Sequence, residues 1–480
     1  MRFRTTLVLL LILAGLGAYL YWMEFPRQQK EAEAKKLFAI KPDEIVEVRL
    51  RFQDRNILLR KTGEVWRLVE PLEAPADEIT VKNLLNTIAE CEVKREIEEA
   101  TDLKQFGLDP PFVTLELKLK DRELPAVAVG KNTPVGFSAY IQRLDDKKVR
   151  LTTSAFRAGL DKQVKDVRDK AILNFTDEDV QRFSLVRSDG TISLSRKDGQ
   201  WVIEQPGNYP ADGPTVRSFL STLRTMRAID FPNDNPTDLS PYGLDAPRLR
   251  VVLFLGKDQA EKHVLIGGEN PEKKSEIYVQ TSGVPTIYTV SDWVWRDLNK
   301  NLTDFRDKLV LAYDADQVRT VEIGRGDGTN FRLVAKEKDQ WAVEGVEGKP
   351  ATSLIRQWLQ DIHDLRGYEI AADEPTDLAA YGLDKPLLTV RLLGPEQQEI
   401  GSMRIGMVTT EQGSKEYFAV GSKSPTVFKV RDYLVTRLNK SSQDFIEKPT
   451  PTPGGPTPTP EEDVGAVDET DESLEDEPLD

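Results

Sequence analysis

The stretch "TDLSPYGLDAPRL", Thr237–Leu249, has two close relatives in the same chain: "TDLKQFGLDPPFV" at 101–113 and "TDLAAYGLDKPLL" at 376–388. Their central glycines are 136 and 139 residues apart. Self-similarity at a nearly fixed spacing indicates repeated structural units, and this spacing lies within the usual domain size of roughly 100–150 residues. The sequence therefore predicts three tandem domains, which we place at 41–173, 174–311 and 312–447.

A second landmark, a tryptophan, keeps a similar spacing in Trp66, Trp201 and Trp341. Short alternating runs typical of half-buried strands lead up to each tryptophan, and a helical pattern follows it. The apolar positions of the three helices have the spacing i, i+3, i+4, i+7: Val81, Leu84, Leu85, Ile88; Val216, Phe219, Leu220, Leu223; Ile355, Trp358, Leu359, Ile362. More strand patterns follow each glycine phrase. This order predicts an α+β fold in which every repeat combines a mostly antiparallel sheet with a helix.

The three helices have candidate caps at their starts. Asp77 and Asp212 stand in "PAD" ahead of the first two helices, and Thr352 or Ser353 is available in the third. Such side chains accept hydrogen bonds from the free N–H groups of the first helical turn. We therefore expect a capping side chain in every repeat.

The repeated phrase is predicted to join the helix to the next strand. "TDL" can start a turn through a side-chain oxygen, the aromatic residue can anchor the turn, glycine permits a positive φ, and the later proline blocks a helix. Its acids, Asp109, Asp245 and Asp384, are the most tempting catalytic candidates. Their presence in all three copies favours turn capping instead, because one chain rarely needs three equivalent active sites.

The N-terminal residues 7–23 form a run of mostly apolar residues, "LVLLLILAGLGAYLYWM". With its margins, this run can cover a hydrocarbon core of about 30 Å, and its terminal aromatics suit a membrane interface. No small-residue cleavage site follows it, which favours an uncleaved transmembrane anchor over a signal peptide. Residues 1–6 would then be cytoplasmic and 24–40 a linker. We expect the repeats outside the cytoplasm, although Lys and Arg counts alone lean the other way.

The net charge of −15 is concentrated at the C-terminus. Residues 461–480 contain eleven Asp or Glu and no Lys or Arg. No domain-wide basic stripe is evident elsewhere, which argues against nucleic-acid binding. The tail at 448–480, rich in Pro and Thr and then acidic, is predicted to be disordered. It either solvates the chain or binds a partner.

The sequence predicts no catalytic, cofactor-binding or metal-binding residue. Its two histidines, His263 and His363, occupy different points of their repeats, and Cys91 is expected to be a buried structural thiol. "VGKNTPVG" at 129–136 contains Gly and Lys without the order of a phosphate-binding loop, and "GRGDGTN" in the third repeat is interpreted as a hairpin turn. A pair of glycosidase carboxylates cannot be recognised from one sequence, which leaves a hydrolase open.

The "PAD"-led helix, together with "FGLDPP" or "YGLDAP" before a strand, resembles an uncharacterised bacterial repeat family, domain of unknown function 4340. The resemblance covers about 41–447. It implies an N-terminal anchor in the bacterial inner membrane and genes often placed beside gliding-motility-type ABC transporter components. It supplies no catalytic residues.

We therefore expect a non-enzymatic, single-pass envelope protein whose extracytoplasmic repeats bind proteins. ABC-type transporter components are the candidate partners that the resemblance implies. A polymer- or peptide-binding module is the alternative, and exposed aromatics in equivalent clefts would favour it. An envelope hydrolase would require two acids that converge in a pocket of one copy.

Overall fold

A computed structural model describes residues 33–97, 102–146, 148–337 and 340–447, with five positions between 12 and 19. The chain divides into two compact units between Asp307 and Lys308. The first unit holds the first two repeats and the second holds the third. Within each repeat, one antiparallel sheet packs its inner face on a hydrophobic core. Strands dominate all three domains, and the prediction of three repeats is confirmed.

The strands follow the same course in each repeat. The first has β1 (Ile45–Arg51), β2 (Asn56–Thr62), β3 (Val65–Glu70), β4 (Ala74–Pro75), β5 (Arg95–Ile97), β6 (Val113–Leu119), β7 (Val127–Asn132), β8 (Ser138–Arg143) and β9 (Val149–Thr153). The second has β10 (Val180–Arg187), β11 (Gly190–Lys197), β12 (Gln200–Gln205), β13 (Tyr209–Pro210), β14 (Asp230–Asn233), β15 (Leu249–Leu255), β16 (Ala260–Glu269), β17 (Glu276–Thr281) and β18 (Ile287–Ser291). The third has β19 (Thr320–Arg325), β20 (Asn330–Glu337), β21 (Gln340–Val343), β22 (Glu369–Ala372), β23 (Leu388–Leu393), β24 (Glu399–Thr409), β25 (Lys415–Gly421) and β26 (Val427–Val430).

The strand order is the same in the three sheets, apart from one edge. It runs β4-β3-β2-β1-β6-β7-β8-β9-β5 in the first and β13-β12-β11-β10-β15-β16-β17-β18-β14 in the second. In the third it is β21-β20-β19-β23-β24-β25-β26-β22. Among its described residues, the third sheet has no counterpart of the short edge strands β4 and β13, so it ends at β21.

One long helix covers the inner face of each sheet, and shorter helices close each repeat. Among the described residues beyond 40, the α-helices are α1 (Glu78–Ala89), α2 (Ser154–Leu160), α3 (Val164–Val167), α4 (Gly213–Thr225), α5 (Trp293–Leu298), α6 (Leu302–Phe305), α7 (Thr352–His363) and α8 (Asp432–Leu438). All the apolar positions predicted to face the core in α1, α4 and α7 are buried. The helical spacing therefore located the core side of each domain correctly.

The predicted caps are present in two of the three long helices. Asp77 accepts a hydrogen bond from the Thr80 backbone N–H at 2.9 Å, and Asp212 accepts one from Thr215 at 2.9 Å. The prediction that Thr352 or Ser353 caps the third helix is wrong. The helix begins one residue too early for that, with Ala351 at the N-cap, and alanine has no side-chain acceptor.

Each core includes residues that lie shortly before the position at which the sequence predicts the domain to begin. Leu37, Phe38 and Ile40, placed in the linker, are buried in the first core. Ile172 and Leu173 belong to the second core, and Val310 and Leu311 belong to the third. The segment that leads into each repeat thus contributes apolar side chains to it.

The first two repeats meet through backbone pairing as well as side chains. The Ala228 N–H donates to the carbonyl of Lys170 at 2.8 Å, and Ala171 forms a bridge with Arg227. Arg227 also donates to Asp77 at 3.0 Å, on the carboxylate that caps α1. The cap of the first helix is therefore part of the joint with the second repeat.

Both ends of the chain lie largely outside the described residues. The predicted anchor at 7–23 does so for most of its length, and the tail at 448–480 does so completely. Among the positions that are described, no helix has the length and apolar character needed to cross a membrane.

Candidate interaction surface

The outer face of each sheet, opposite the long helix, has two halves. The far half, on the side of β7 to β9 and their counterparts, is covered by the repeated glycine phrase. Small apolar clusters lie there, around Leu108 in the first repeat, Leu244 in the second and Leu383 in the third. All three leucines are buried and come from "GLD". The phrase therefore builds a second, smaller core on the outer side of the sheet.

The aromatic residue of the phrase anchors it to the sheet. Its ring contacts a ring on the neighbouring strand in every repeat, with centroid distances of 4.9, 5.0 and 5.3 Å. The pairs are Phe106–Tyr140, Tyr242–Tyr278 and Tyr381–Phe418. Tilted and edge-to-face geometries of this kind are favourable for aromatic pairs. The expectation that the aromatic packs as an anchor is confirmed.

The glycine of the phrase takes a left-handed conformation, with φ of 66°, 63° and 65° in the three copies. The turn also lies against a second glycine in the sheet. These sheet glycines are Gly130, Gly267 and Gly406. A Cβ atom on them would lie 2.2, 2.3 and 2.2 Å, respectively, from the backbone carbonyl oxygen of the phrase's aromatic residue. Backbone thus packs directly on backbone, and both glycines are needed for the contact.

The acid of "TDL" caps this turn, as the sequence predicts. Asp102, Asp238 and Asp377, from "TDL", accept backbone hydrogen bonds at 3.0, 2.9 and 2.8 Å. The prediction that the "GLD" acids are caps is wrong: Asp109, Asp245 and Asp384 are exposed and show no hydrogen bond to another described residue. The first acid precedes the turn and can reach its N–H groups, whereas the second follows the glycine and points to solvent.

The near half of the outer face is uncovered, and we call it the open face. It consists of the outward side chains of β1–β3 and β6, of β10–β12 and β15, and of β19–β21 and β23. Outward and buried residues alternate along these strands, as Arg49 does between Val48 and Leu50. The shared strand order places equivalent positions of the three open faces on the same scaffold.

At the centre of the first open face, a basic residue stands opposite an acidic one. Arg49 and Glu116 are cross-strand partners, and their side chains approach to 3.5 Å. Arg49 also donates to both oxygens of Glu70, at 3.0 and 2.8 Å, and Arg51 lies 3.0 Å from Glu116.

The third repeat reverses the charges at the same two positions. Glu322 and Arg391 are the cross-strand partners, with side chains 3.3 Å apart. Glu322 also accepts from Arg332 at 2.6 Å, and Arg391 donates to Glu399 at 2.7 Å. That hydrogen bond lowers the pKa of Glu399. Glu322, Arg332 and Arg391 border an open cavity of about 1010 Å³.

The second repeat carries neutral residues at the centre of its open face. Ser184 and Val252 are the cross-strand partners, and the Ser184 hydroxyl lies 2.9 Å from that of Ser193. A cavity of about 530 Å³ lies over them, with Arg182 stacked on the ring of Phe254 at its border. Three equivalent surfaces thus present three different chemistries.

The residues considered for catalysis are not brought together. His263 lies on β16, where burial and nearby Arg250 lower its pKa, while His363 ends α7 beside Asp364. Cys91 is buried against the Thr152 hydroxyl, as expected for a structural thiol. Within the described ranges, no group of three or more His, Cys, Asp or Glu is arranged to hold a metal ion.

The sequence signal for the open face was present but incomplete. Alternation showed which side chains point outward, yet the opposite positions are far apart in sequence, at 49 and 116 or 322 and 391. Their pairing depends on the register of strands separated by a helix and the repeated phrase. No motif in the sequence marks it.

Comparison with known proteins identifies one family. No curated protein matches the chain. The profile of one family, described as Domain of unknown function (DUF4340), matches three times, at residues 66–204, 201–366 and 351–450. These matches follow the three repeats and together cover most of the sequence, so the chain belongs to the DUF4340 family.

Proposed function

We propose that this protein is a membrane-tethered, non-enzymatic interaction protein whose open faces bind a protein partner outside the cytoplasm. The observation that carries the proposal is the difference between the three open faces on one shared scaffold. Arg49–Glu116, Ser184–Val252 and Glu322–Arg391 occupy the same cross-strand position. Repeated catalysis would require the same groups in each copy, whereas recognition does not.

The same difference favours a protein over a regular polymer as the partner. A polymer offers the same chemistry at every repeat along its length, so three similar binding faces would suit it. A folded protein surface offers different charges and apolar patches at different points. Faces with different charge arrangements can complement such a surface and discriminate against other partners.

Membrane tethering completes the proposal. The run at 7–23 would hold the repeats in the envelope beside integral membrane proteins. Components of an ABC-type transporter are the partners we propose, in keeping with the family resemblance.

A polymer- or peptide-binding module is the second candidate, supported by one feature of the third repeat. Trp341 is only partly buried there and lines a cavity of about 680 Å³ with Arg319 and Arg356. Its counterparts Trp66 and Trp201 are 8% and 7% exposed. A stacking platform in one copy suits a short ligand better than a polymer that follows all the repeats.

A hydrolase has weaker support. Glu322 and Glu344 both line the large cavity of the third repeat, so two acids are present in one copy. Glu322, however, holds Arg332 and Arg391, which makes it part of an ion-pair network. Its contacts are those of a structural carboxylate.

Site-specific photo-crosslinking in cells tests the interaction surface. A photoreactive amino acid would replace Glu116, Arg250 or Arg391, which are exposed on the open faces of the full-length protein. Control positions are Lys82, Arg217 and Gln357, exposed on the long helices. We expect discrete adducts with the same membrane protein from the open faces and none from the helices. Equal adduct yields from both sets would contradict the proposal.

Alkaline extraction tests the tether. A spanning helix resists high salt and alkali, since burial of such a run in hydrocarbon far exceeds the strength of surface ion pairs. We expect full-length protein to stay in the membrane pellet and a variant that starts at Glu31 to be soluble. Recovery of a mature form that begins after Tyr21 would show a cleaved signal peptide instead.

A further inference from the structure

The hairpin between β7 and β8 carries the two most exposed large apolar side chains of the described residues. Val135 is 87% exposed and Phe137 is 90% exposed. They flank Gly136 at the tip, where the segment "VGKNTPVG" at 129–136 ends. Exposed apolar groups that lie together within a polar surface mark interaction sites, and these two side chains lie together at one tip.

The backbone fixes the tip in this exposed position. The Thr133 N–H donates to the carbonyl of Ser138 at 2.9 Å, and its hydroxyl donates to the carbonyl of Val135 at 2.8 Å. The Ser154 N–H donates to the carbonyl of Phe137 at 3.1 Å. Phe137 has a φ of 25°, in a region that bulky residues avoid. Local strain of this kind persists where surrounding contacts impose it, often at binding sites.

The other two repeats do not share the apolar tip. The corresponding hairpin of the second repeat reads "NPEKKS" at 270–275, and that of the third reads "TEQGS" at 410–414. Both are polar. The apolar tip therefore belongs only to the repeat that follows the apolar N-terminal run.

The tip lies near the point at which the chain enters the first repeat. The Leu37 N–H donates to the carbonyl of Cys91, and the Cys91 sulfur lies 3.3 Å from the Thr152 hydroxyl. Thr152 in turn is the cross-strand partner of Ala139, at the base of the tip. Three strand spacings of about 4.8 Å thus separate the entry segment from the hairpin, or about 15 Å.

The linker is short enough to hold the tip at a membrane. Nine residues lie between Met23, the end of the apolar run, and Glu33, the first residue described ahead of the first repeat. The ten Cα–Cα steps from 23 to 33 span at most about 36 Å when fully extended. If 7–23 crosses the bilayer, the first repeat cannot move far from the surface, and its exposed ring lies within reach of the lipid.

We infer that Val135 and Phe137 insert into the bilayer interface next to the anchor and fix the orientation of the first repeat on the membrane. The inference rests on the proposed membrane tether. Aromatic and aliphatic side chains gain by leaving water for the acyl boundary, and aromatic rings favour the interfacial layer. A single anchor leaves the first repeat free to rotate, whereas a second contact fixes the direction of its open face.

The test uses full-length protein in phosphatidylcholine and phosphatidylglycerol vesicles, with an environment-sensitive fluorophore on Phe137→Cys. The matched control is Lys274→Cys, at the polar tip of the second repeat. Unsubstituted protein measures background labelling, which should be small because Cys91 is buried. We expect lipids with a quencher near the headgroup to quench the label at 137, and aqueous iodide to quench the label at 274.

The result that overturns the inference is iodide quenching at 137 as strong as at 274. Alkaline extraction of the same vesicles then shows, independently of the label, whether residues 7–23 anchor the protein in the bilayer. Retained protein with a water-exposed label at 137 would refute the tip contact and leave the tether intact. Release by alkali, with lipid quenching at 137 before the wash, would refute the tether and support the tip contact. Labels on Val135→Cys repeat the measurement on an independent variant.

Discussion

The guanidinium of Arg168, in the first repeat, donates to both carboxylate oxygens of Asp234, in the second, at 2.8 and 3.1 Å. The Arg168 side chain is 9% exposed and stacks on the ring of Phe231 at 3.8 Å. Asp234 also accepts from the Thr286 hydroxyl at 3.2 Å. Planar, two-point pairing of this kind fixes direction as well as distance. The pair thus sets the angle between the first two repeats.

A double-mutant cycle on this pair should show strong coupling. We expect Arg168→Ala and Asp234→Ala each to destabilise the protein, with a coupling energy of about 1–3 kcal/mol in chemical unfolding. Arg168→Lys should restore only part of it, because lysine cannot pair at two points. The exposed pair Arg122–Asp121 is the control and should show no measurable coupling. Equal coupling in both cycles would mean that the joint depends on other contacts.

Substitution of Gly267 by alanine should destabilise the second repeat. The new Cβ would lie 2.3 Å from the Tyr242 carbonyl oxygen, so the turn or the strand must move. Overpacking of this kind costs about 1–3 kcal/mol in unfolding free energy. Gly213→Ala is the matched control, since a Cβ there meets nothing closer than 3.6 Å and the site begins α4. Its stability should be unchanged or raised by less than about 1 kcal/mol.

Cys91 should make stability fall at alkaline pH. Burial, with a smaller contribution from Glu92, raises the pKa of this thiol from its ordinary 9.0 to about 12, although the Thr152 hydroxyl acts in the other direction. The unfolded thiol therefore loses its proton first, and its contribution is lost as pH rises from about 9 to about 12. Unfolding midpoints across this range should decline less steeply in Cys91→Ala. Identical slopes would contradict the assignment.

Removal of residues 448–480 should leave the thermal unfolding of the repeats nearly unchanged. The last twenty residues contain eleven acids and little apolar area to bury. Calorimetry on the full chain and on a chain that ends at Glu447 measures this directly. A shift of several degrees in either direction would show that the tail docks on a repeat.

Sequence patterns predicted those features of the fold that depend on neighbouring residues. Helical spacing located the core faces of α1, α4 and α7, and "TDL" and the glycine phrase located a turn with positive φ. The prediction of a capping side chain on the third helix was wrong because Ala351 occupies the N-cap, one position before the available hydroxyls. The assignment of capping to the "GLD" acids was wrong although that to "TDL" is confirmed, because Asp102 and Asp109 flank the same turn and only geometry separates them.

Features that depend on distant residues could not be predicted. The glycine that contacts each phrase, such as Gly130 beneath Phe106, lies within a strand and has no local sequence sign of that contact. The open face requires the register of β1 against β6. Exposure of Phe137 could not be read from its sequence either, because the same residues would suit a buried strand.

The reversal of charge between Arg49–Glu116 and Glu322–Arg391 also affects how the three repeats fold. Neighbouring domains with one strand order can exchange strands as they fold, and such misassembly is a characteristic failure of tandem repeats. If β19 took the place of β1, Glu322 would stand opposite Glu116, and like charges directly opposite each other are destabilising. If β10 took that place instead, Ser184 would stand opposite Glu116, which would lose its ion pair with Arg49. The divergence of the three faces therefore penalises the exchange of strands between repeats.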